Sequence, residues 1–189
     1  MNSPLWQPSA ARIAAANITR FMAFVNERHD LELADYPQLY EWSVQDTPSF
    51  WSAVWEFCRV IGSEPGEVVV DGAGFPDSGL PVPRWFPAAE LNFAENLLRY
   101  RDDQVALVSL LENGRRRSLT YGELYRQVAG LAARLREVGV KPGDRVAGFM
   151  PNIQETVVAM LATTSIGATW SSCSPDFGIN GVMDRFGQI

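Results

Sequence analysis

At 189 residues, with 47% hydrophobic and 20% charged side chains, the chain has the composition of an ordinary globular protein with enough apolar material for a core. A net charge of −6 and a pI near 4.8 argue against a nucleic-acid binder, which normally carries a basic face. Two cysteines at unrelated positions, Cys58 and Cys173, and a single histidine, His29, make no metal-ligand spacing, so no metal site is expected and a reduced, cytoplasmic setting fits.

The first residues lack a basic start followed by an apolar block, so no signal peptide is expected. No apolar run approaches the ~18 residues of a membrane span, so no membrane partner is expected either. Residues 1–100 carry a net charge of −7 and residues 101–189 a net charge of +1, and the acidic half reads as a solvated surface.

Ser9 is placed to cap a helix whose apolar face runs Ala14, Ile18, Phe21, Val25. Asp35-Tyr36-Pro37 opens a second, short helix with Leu39, Tyr40 and Trp42 as its apolar members. Thr47-Pro48 reads as the cap and first turn of a third, with Phe50, Val54, Phe57 and Ile61 inside and Gly62 ending it. Trp51 and Trp55 widen that stripe and read as packing residues rather than a ligand box. Residues 62–88 are punctuated by Gly, Pro and Asp. Phe75, Trp85 and Phe86 make this stretch too aromatic for a solvated spacer. A short helix from Asn92 to Arg99 follows.

From Val105 the pattern changes. Val105–Leu111 reads as a strand, Glu112-Asn113-Gly114 as a turn, and Arg115–Leu119 as the antiparallel return. Thr120 and Glu123 form a capping box for a helix with Leu124, Val128, Leu131, Leu135 and Val138 on one face and Gly139 at its end. A strand from Arg145 to Met150 leads to Asn152 and Glu155, which read as a second capping box. The helix behind it carries Ile153, Val157, Met160, Leu161 and Thr164, and Gly167 releases the chain into a strand from Ala168 to Ser172. Strand, helix and strand at this spacing make a βαβ unit. The expected fold is therefore α/β: an N-terminal helical extension, then the first part of a doubly wound, mostly parallel sheet that is incomplete. The parallel pattern opens and the sequence stops as the next element starts, so the chain reads as the front part of a larger α/β enzyme.

Few residues carry chemistry. His29 sits in the charged run Glu27-Arg28-His29-Asp30 and reads as a surface residue. Ser174-Pro175-Asp176 reads as a turn rather than a nucleophile with its acid. Arg115-Arg116-Arg117 reads as a solvated face. No glycine spacing makes a dinucleotide or phosphate loop. Fifteen of the sixteen basic residues are arginine, and the one lysine, Lys141, lies in a Lys-Pro-Gly turn. No catalytic residue is assigned. Asn152 lies at the carboxyl end of a strand, where open α/β sheets meet ligands, but capping already explains it.

The segment LTYGELYRQVAGLAARLREVGVKPGDRVAGFMPN, followed by GATWSSCSPDFG, resembles the start of the large domain of acyl-AMP-forming acyl-CoA synthetases. That likeness covers Phe93 to Ile189 and implies a division into an N-terminal helical and extended segment, residues 1–92, and the truncated start of the AMP-binding large domain, residues 93–189. The segments YEWSVQDTPSFWSAVWEF, WFPAAELNFAENLL and WSSCSPDFGINGVMDRFGQI resemble the acetoacetate-activating branch of that superfamily and extend the likeness over essentially the whole chain. The resemblance implies a ligase that uses ATP and magnesium to turn acetoacetate into an acyl-adenylate and passes the acyl group to coenzyme A. The phosphate loop, the adenine and ribose motifs and the lid lysine of that superfamily lie beyond the matched region. The 189-residue chain alone is therefore expected to be inactive, and to self-associate through its unfinished sheet. The alternatives are a ligase for acetate or propionate, or a free-standing, non-catalytic interaction module built from such a front half. By the same resemblance Trp170, Ser171 and Ser172 line the coenzyme A channel; the competing expectation is that Trp170 is core and the serines merely end a strand.

Overall fold

The computed structural model describes residues 5–72 and 83–189, so Phe75 lies outside the described residues. The chain divides into two compact units, Met1–Glu90 and Leu91–Ile189.

The first unit is helical. The helix expected behind Ser9 is two helices, α1 (Ala10–Ala14) and α2 (Asn17–His29). Ser9 does cap the first, its hydroxyl accepting the Arg12 N–H at 3.3 Å. The chain then leaves the helical conformation at Ala16, with φ −70° and ψ 142°, and the Thr19 hydroxyl donates to the Ile13 carbonyl at 2.7 Å across the break. Ala14 therefore leaves the inner face, and only Phe21 and Val25 of the expected stripe are buried.

Helix α3 (Tyr36–Gln45) starts as read, with the Asp35 carboxylate taking the Gln38 N–H at 3.0 Å. Helix α4 (Thr47–Phe57) differs at both ends. Its cap is Asp46, which accepts the Ser49 N–H at 3.2 Å, while the Thr47 hydroxyl turns back to the Ser43 carbonyl at 3.1 Å. It stops well before Gly62. Arg59 adopts φ 50°, the Arg59 N–H donates to Glu56, and the Val60 N–H donates to Trp55 at 3.1 Å. This is the paired-bond helix stop usually built on glycine. Two-residue strands β1 (Val70–Asp71) and β2 (Arg84–Trp85) pair antiparallel.

The second unit begins with α5 (Phe93–Leu97), capped by Asn92 and shorter than read. Strands β3 (Val105–Leu110) and β4 (Arg116–Thr120) form the expected antiparallel hairpin. Helix α6 (Tyr121–Glu137) carries the complete capping box: the Thr120 hydroxyl accepts the Glu123 N–H at 3.1 Å and the Glu123 carboxylate accepts the Thr120 N–H at 2.8 Å. Gly139 ends it at φ 93°. Val138, expected on the inner face, is 78% exposed, because the last helical turn runs beyond the core.

Strand β5 (Arg145–Phe149), helix α7 (Gln154–Ser165) and strand β6 (Thr169–Cys173) make the βαβ unit, with β5 and β6 parallel from Arg145 beside Thr169 to Phe149 beside Cys173. Helix α8 (Ile179–Phe186) follows. The core forms where Leu124, Val128 and Ala132 of α6 meet Val158, Leu161 and Ala162 of α7, closed by Ala94, Leu98 and Ala168.

The second expected capping box is absent. Helix α7 is preceded by Ile153 in extended conformation with no side-chain cap, and Asn152 does not close it. Arg117 on β4 instead takes one oxygen of the Glu155 carboxylate at 2.6 Å.

Candidate functional site

The carboxyl ends of β5 and β6 are where a doubly wound sheet presents its ligand edge. The two strands stay paired to that edge, the Met150 N–H donating to the Cys173 carbonyl at 3.1 Å. Val146 pairs with Trp170 and Gly148 with Ser172. Since side chains alternate along a strand, Trp170 and Ser172 share one face and Ser171 takes the other.

Trp170 is half-buried, and its ring lies across Gly148. A Cβ built on Gly148 would sit 2.4 Å from the indole, so the glycine leaves the space that the ring occupies. Packing is thus one settled role of Trp170. Ser172 is exposed, Ser171 is half-buried, and Cys173 is buried. The structure therefore brings Trp170 and Ser172 together and sets Ser171 apart from them.

Beyond the strand, the Ser174 hydroxyl donates to the Asp176 carboxylate at 2.8 Å and accepts the Asp176 N–H at 3.3 Å, the turn read from sequence. Arg185 on α8 lies over the Phe177 ring at 3.7 Å, which pins the start of α8 to its own last turn. His29 rests 5.2 Å from the Trp42 ring in the helical unit, as a packing neighbour. The Lys141 backbone N–H donates to the Asp144 carboxylate at 2.9 Å inside the turn. Among the described residues no three or more His, Cys, Asp or Glu side chains gather as metal ligands, and no helix is long and apolar enough to cross a membrane.

Two features near this edge escaped sequence reasoning. Arg117 is no idle member of a solvated basic run: it pairs with Glu155. That bond, helped by the Glu155 backbone N–H and opposed by partial burial, holds the carboxyl below its ordinary range. Gln154 is only 3% exposed, although a first-turn glutamine is normally a surface residue. No local pattern marks either, since both depend on the hairpin folding against α7.

The AMP-binding enzyme family matches residues 93–186, and the family described as the acetyl-coenzyme A synthetase N-terminus matches residues 36–97. Residues 93–186 are thus those of an AMP-binding enzyme domain. The chain is similar to acetoacetyl-CoA synthetases: 46% identical to the one from Rhizobium meliloti and 48% identical to the one from Danio rerio, over 98% of this chain in both cases. The structure of acetoacetyl-CoA synthetase from Streptomyces lividans superposes with a TM-score of 0.87 at 47% identity, covering all of this chain. The chain spans 28% and 27% of the length of the two curated relatives and 29% of the solved one, and it matches the N-terminal part of such enzymes. The likeness to the acetoacetate-activating branch, read from the sequence, agrees with these relatives.

Proposed function

We propose that the chain is the N-terminal portion of an acetoacetate–CoA ligase working in the cytoplasm. The observation that carries this reading is identity of 46–48% to acetoacetyl-CoA synthetases over 98% of the chain. In the whole ligase a carboxylate oxygen of acetoacetate attacks the α-phosphorus of ATP and pyrophosphate leaves. The thiol of coenzyme A then attacks the acyl carbon and AMP leaves. Magnesium offsets the charge of the triphosphate, and positively charged groups stabilise the five-coordinate phosphorus.

No adenylation step is assigned to residues of this chain. For the thiol transfer, Trp170 and Ser172 suit an amide-rich arm: the exposed hydroxyl of Ser172 both donates and accepts, and the indole beside it offers an apolar wall. Ser171 lies on the opposite face, and its short hydroxyl is what it offers such an arm. The AMP-binding match over residues 93–186 supports use of ATP and coenzyme A by the whole enzyme. Among the described residues β5 and β6 pair only with each other, which supports self-association of the isolated chain through the open edges.

The test uses the full-length ligase. Its kcat/KM is expected to be higher for acetoacetate than for acetate; the reverse order removes the acetoacetate assignment. In the same enzyme Ser172→Trp is expected to raise the KM for coenzyme A at least ~10-fold, about 1.4 kcal/mol if KM tracks affinity, with ATP–pyrophosphate exchange nearly unchanged. An unchanged KM for coenzyme A takes these residues out of the channel.

A further inference from the structure

Beside the sheet edge lies a pocket that neither the fold nor the proposed ligase chemistry accounts for. It has a volume of about 180 Å³ and opens between β3 and the first turn of α7, lined by Leu107, Ser109, Leu110, Asn152, Gln154 and Val157 among others. Its lining holds buried polar atoms that no protein group satisfies: the Ser109 hydroxyl and both the nitrogen and the oxygen of the Gln154 side chain. The second oxygen of the neighbouring Glu155 is buried and unpartnered as well. The helix start beside them lacks a side-chain cap. Buried donors and acceptors are nearly always satisfied, by protein or by ordered water, because leaving them unmade is costly. Gln154 at 3% exposure cannot be satisfied by bulk solvent.

We propose that this pocket holds a small neutral guest that both donates and accepts hydrogen bonds, either ordered water or a small organic amide or alcohol of the same chemistry. Gln154 supplies two N–H donors and a carbonyl acceptor, and the Ser109 hydroxyl turns to serve either role. A guest with only donors or only acceptors would leave half of these atoms unmet. Charge argues for neutrality. No charged side chain lines the pocket, so neither an anion nor a cation would find a counter-charge in it. Size argues for smallness. A water takes about 30 Å³ of liquid volume, so a few fit, whereas drug-sized ligands need roughly 300–1,000 Å³. The guest joins the hairpin to the start of α7, two elements otherwise tied there by the Arg117–Glu155 pair.

The test is NMR on the isotope-labelled 189-residue chain. Long-lived water contacts are expected at the Gln154 side-chain amide and near Ser109. Gln154→Met is expected to remove them and to lower Tm by about 2–4 °C, the shift for one lost hydrogen bond in a chain of this size. Ser109→Ala is a milder second variant and is expected to weaken the water contacts at Gln154 with a smaller fall in Tm. Titration with acetamide separates the two sources. Shifts confined to Ser109, Gln154 and their neighbours identify an organic guest that displaces water; water contacts without such shifts identify water. Absence of both contacts, or a Tm that rises in either variant as expected when an orphaned polar group is removed, overturns the proposal.

Discussion

The helical unit and the α/β unit solve the same packing problem with different materials. In the helical unit the core is a network of rings, with Phe21 and Phe50 each meeting three others. Phe21 meets Phe50 edge-on at 5.7 Å and Phe57 at 5.2 Å, and Trp42 meets Phe50 at 5.8 Å. In the α/β unit the core is aliphatic and built from small residues, with Ala132 and Ala162 letting α6 and α7 approach closely around Leu124, Val128, Val158 and Leu161. Edge-to-face rings fill volume quickly but leave gaps between rigid plates. A groove of about 310 Å³ remains in the helical unit, lined by Ile18, Phe21, Tyr36, Tyr40 and Phe57 among others. The aliphatic layer spreads its contacts over many interchangeable methyl groups. One core therefore leans on a few large rings, and the other on many small groups.

The largest expected effect tests that dependence directly. Phe21→Ala is expected to cost about 3–5 kcal/mol and to remove the ring contacts that order Phe50 and Phe57. The near-ultraviolet circular dichroism signal should weaken as Trp42 and Trp51, which pack on Phe50, lose their fixed setting. Leu161→Ala, in the α/β core, falls in a range of about 2–5 kcal/mol and should leave that signal intact. If Leu161→Ala collapses the aromatic signal and Phe21→Ala spares it, the contrast between the two cores is wrong.

A smaller effect sharpens the contrast within the α/β unit, at a place where it too uses a large ring. Gly148→Ala would set a Cβ 2.4 Å from the Trp170 indole, a distance no side chain tolerates, so the ring must move. Overpacking of this kind costs about 1–3 kcal/mol. Trp170 fluorescence should shift red as the ring turns towards water, with helix content unchanged. An unshifted spectrum with wild-type Tm would show that the indole does not rest on Gly148.

The two units also differ in how much of them the sequence discloses. Helix α6 is legible because its signals are local: Thr120 and Glu123 cap it within one turn, and Gly139 marks its end with the residue that prefers φ 93°. Helix α4 ends in the same bonding pattern on Arg59, whose identity advertises nothing, so the stop was placed instead at Gly62. Capping also competes. Asp46 displaced Thr47 because a carboxylate one residue earlier reaches the same N–H groups. The candidate edge was legible as a position, since strand ends in such sheets are where ligands bind. Which face each of Trp170, Ser171 and Ser172 takes follows from the β5–β6 register, and the burial of Gln154 and the pairing of Glu155 follow from contacts 38 or more residues apart in the case of Arg117. Local spacing carries no record of such contacts.

The smallest expected effect compares two glutamates in first turns of helices. Glu123 is held by the Thr120 N–H, a neutral donor inside its own helix, and its carboxyl is lowered chiefly by that bond. Glu155 is lowered chiefly by the Arg117 guanidinium from another element. Both folded-state pKa values lie below the ordinary 4.5, so both contribute stability above that value and lose it as pH falls through the folded pKa. The Glu155 pair is 42% and 44% exposed, so solvent screens it and its contribution is about 0.2–1 kcal/mol. Arg117→Gln should therefore lower Tm slightly near neutral pH, and the difference from wild type should fade as pH drops below the ordinary 4.5 and through the lowered folded value at which Glu155 takes up its proton. Added salt should shrink the neutral-pH difference as well, because the pair is a charge pair near solvent. The Glu123 contribution rests on a short hydrogen bond to a neutral donor and is expected to be far less sensitive to salt, so wild type and variant should share it. A difference between them that persists once Glu155 is protonated and that resists salt would mean that Arg117 acts by packing its aliphatic stem rather than by holding Glu155.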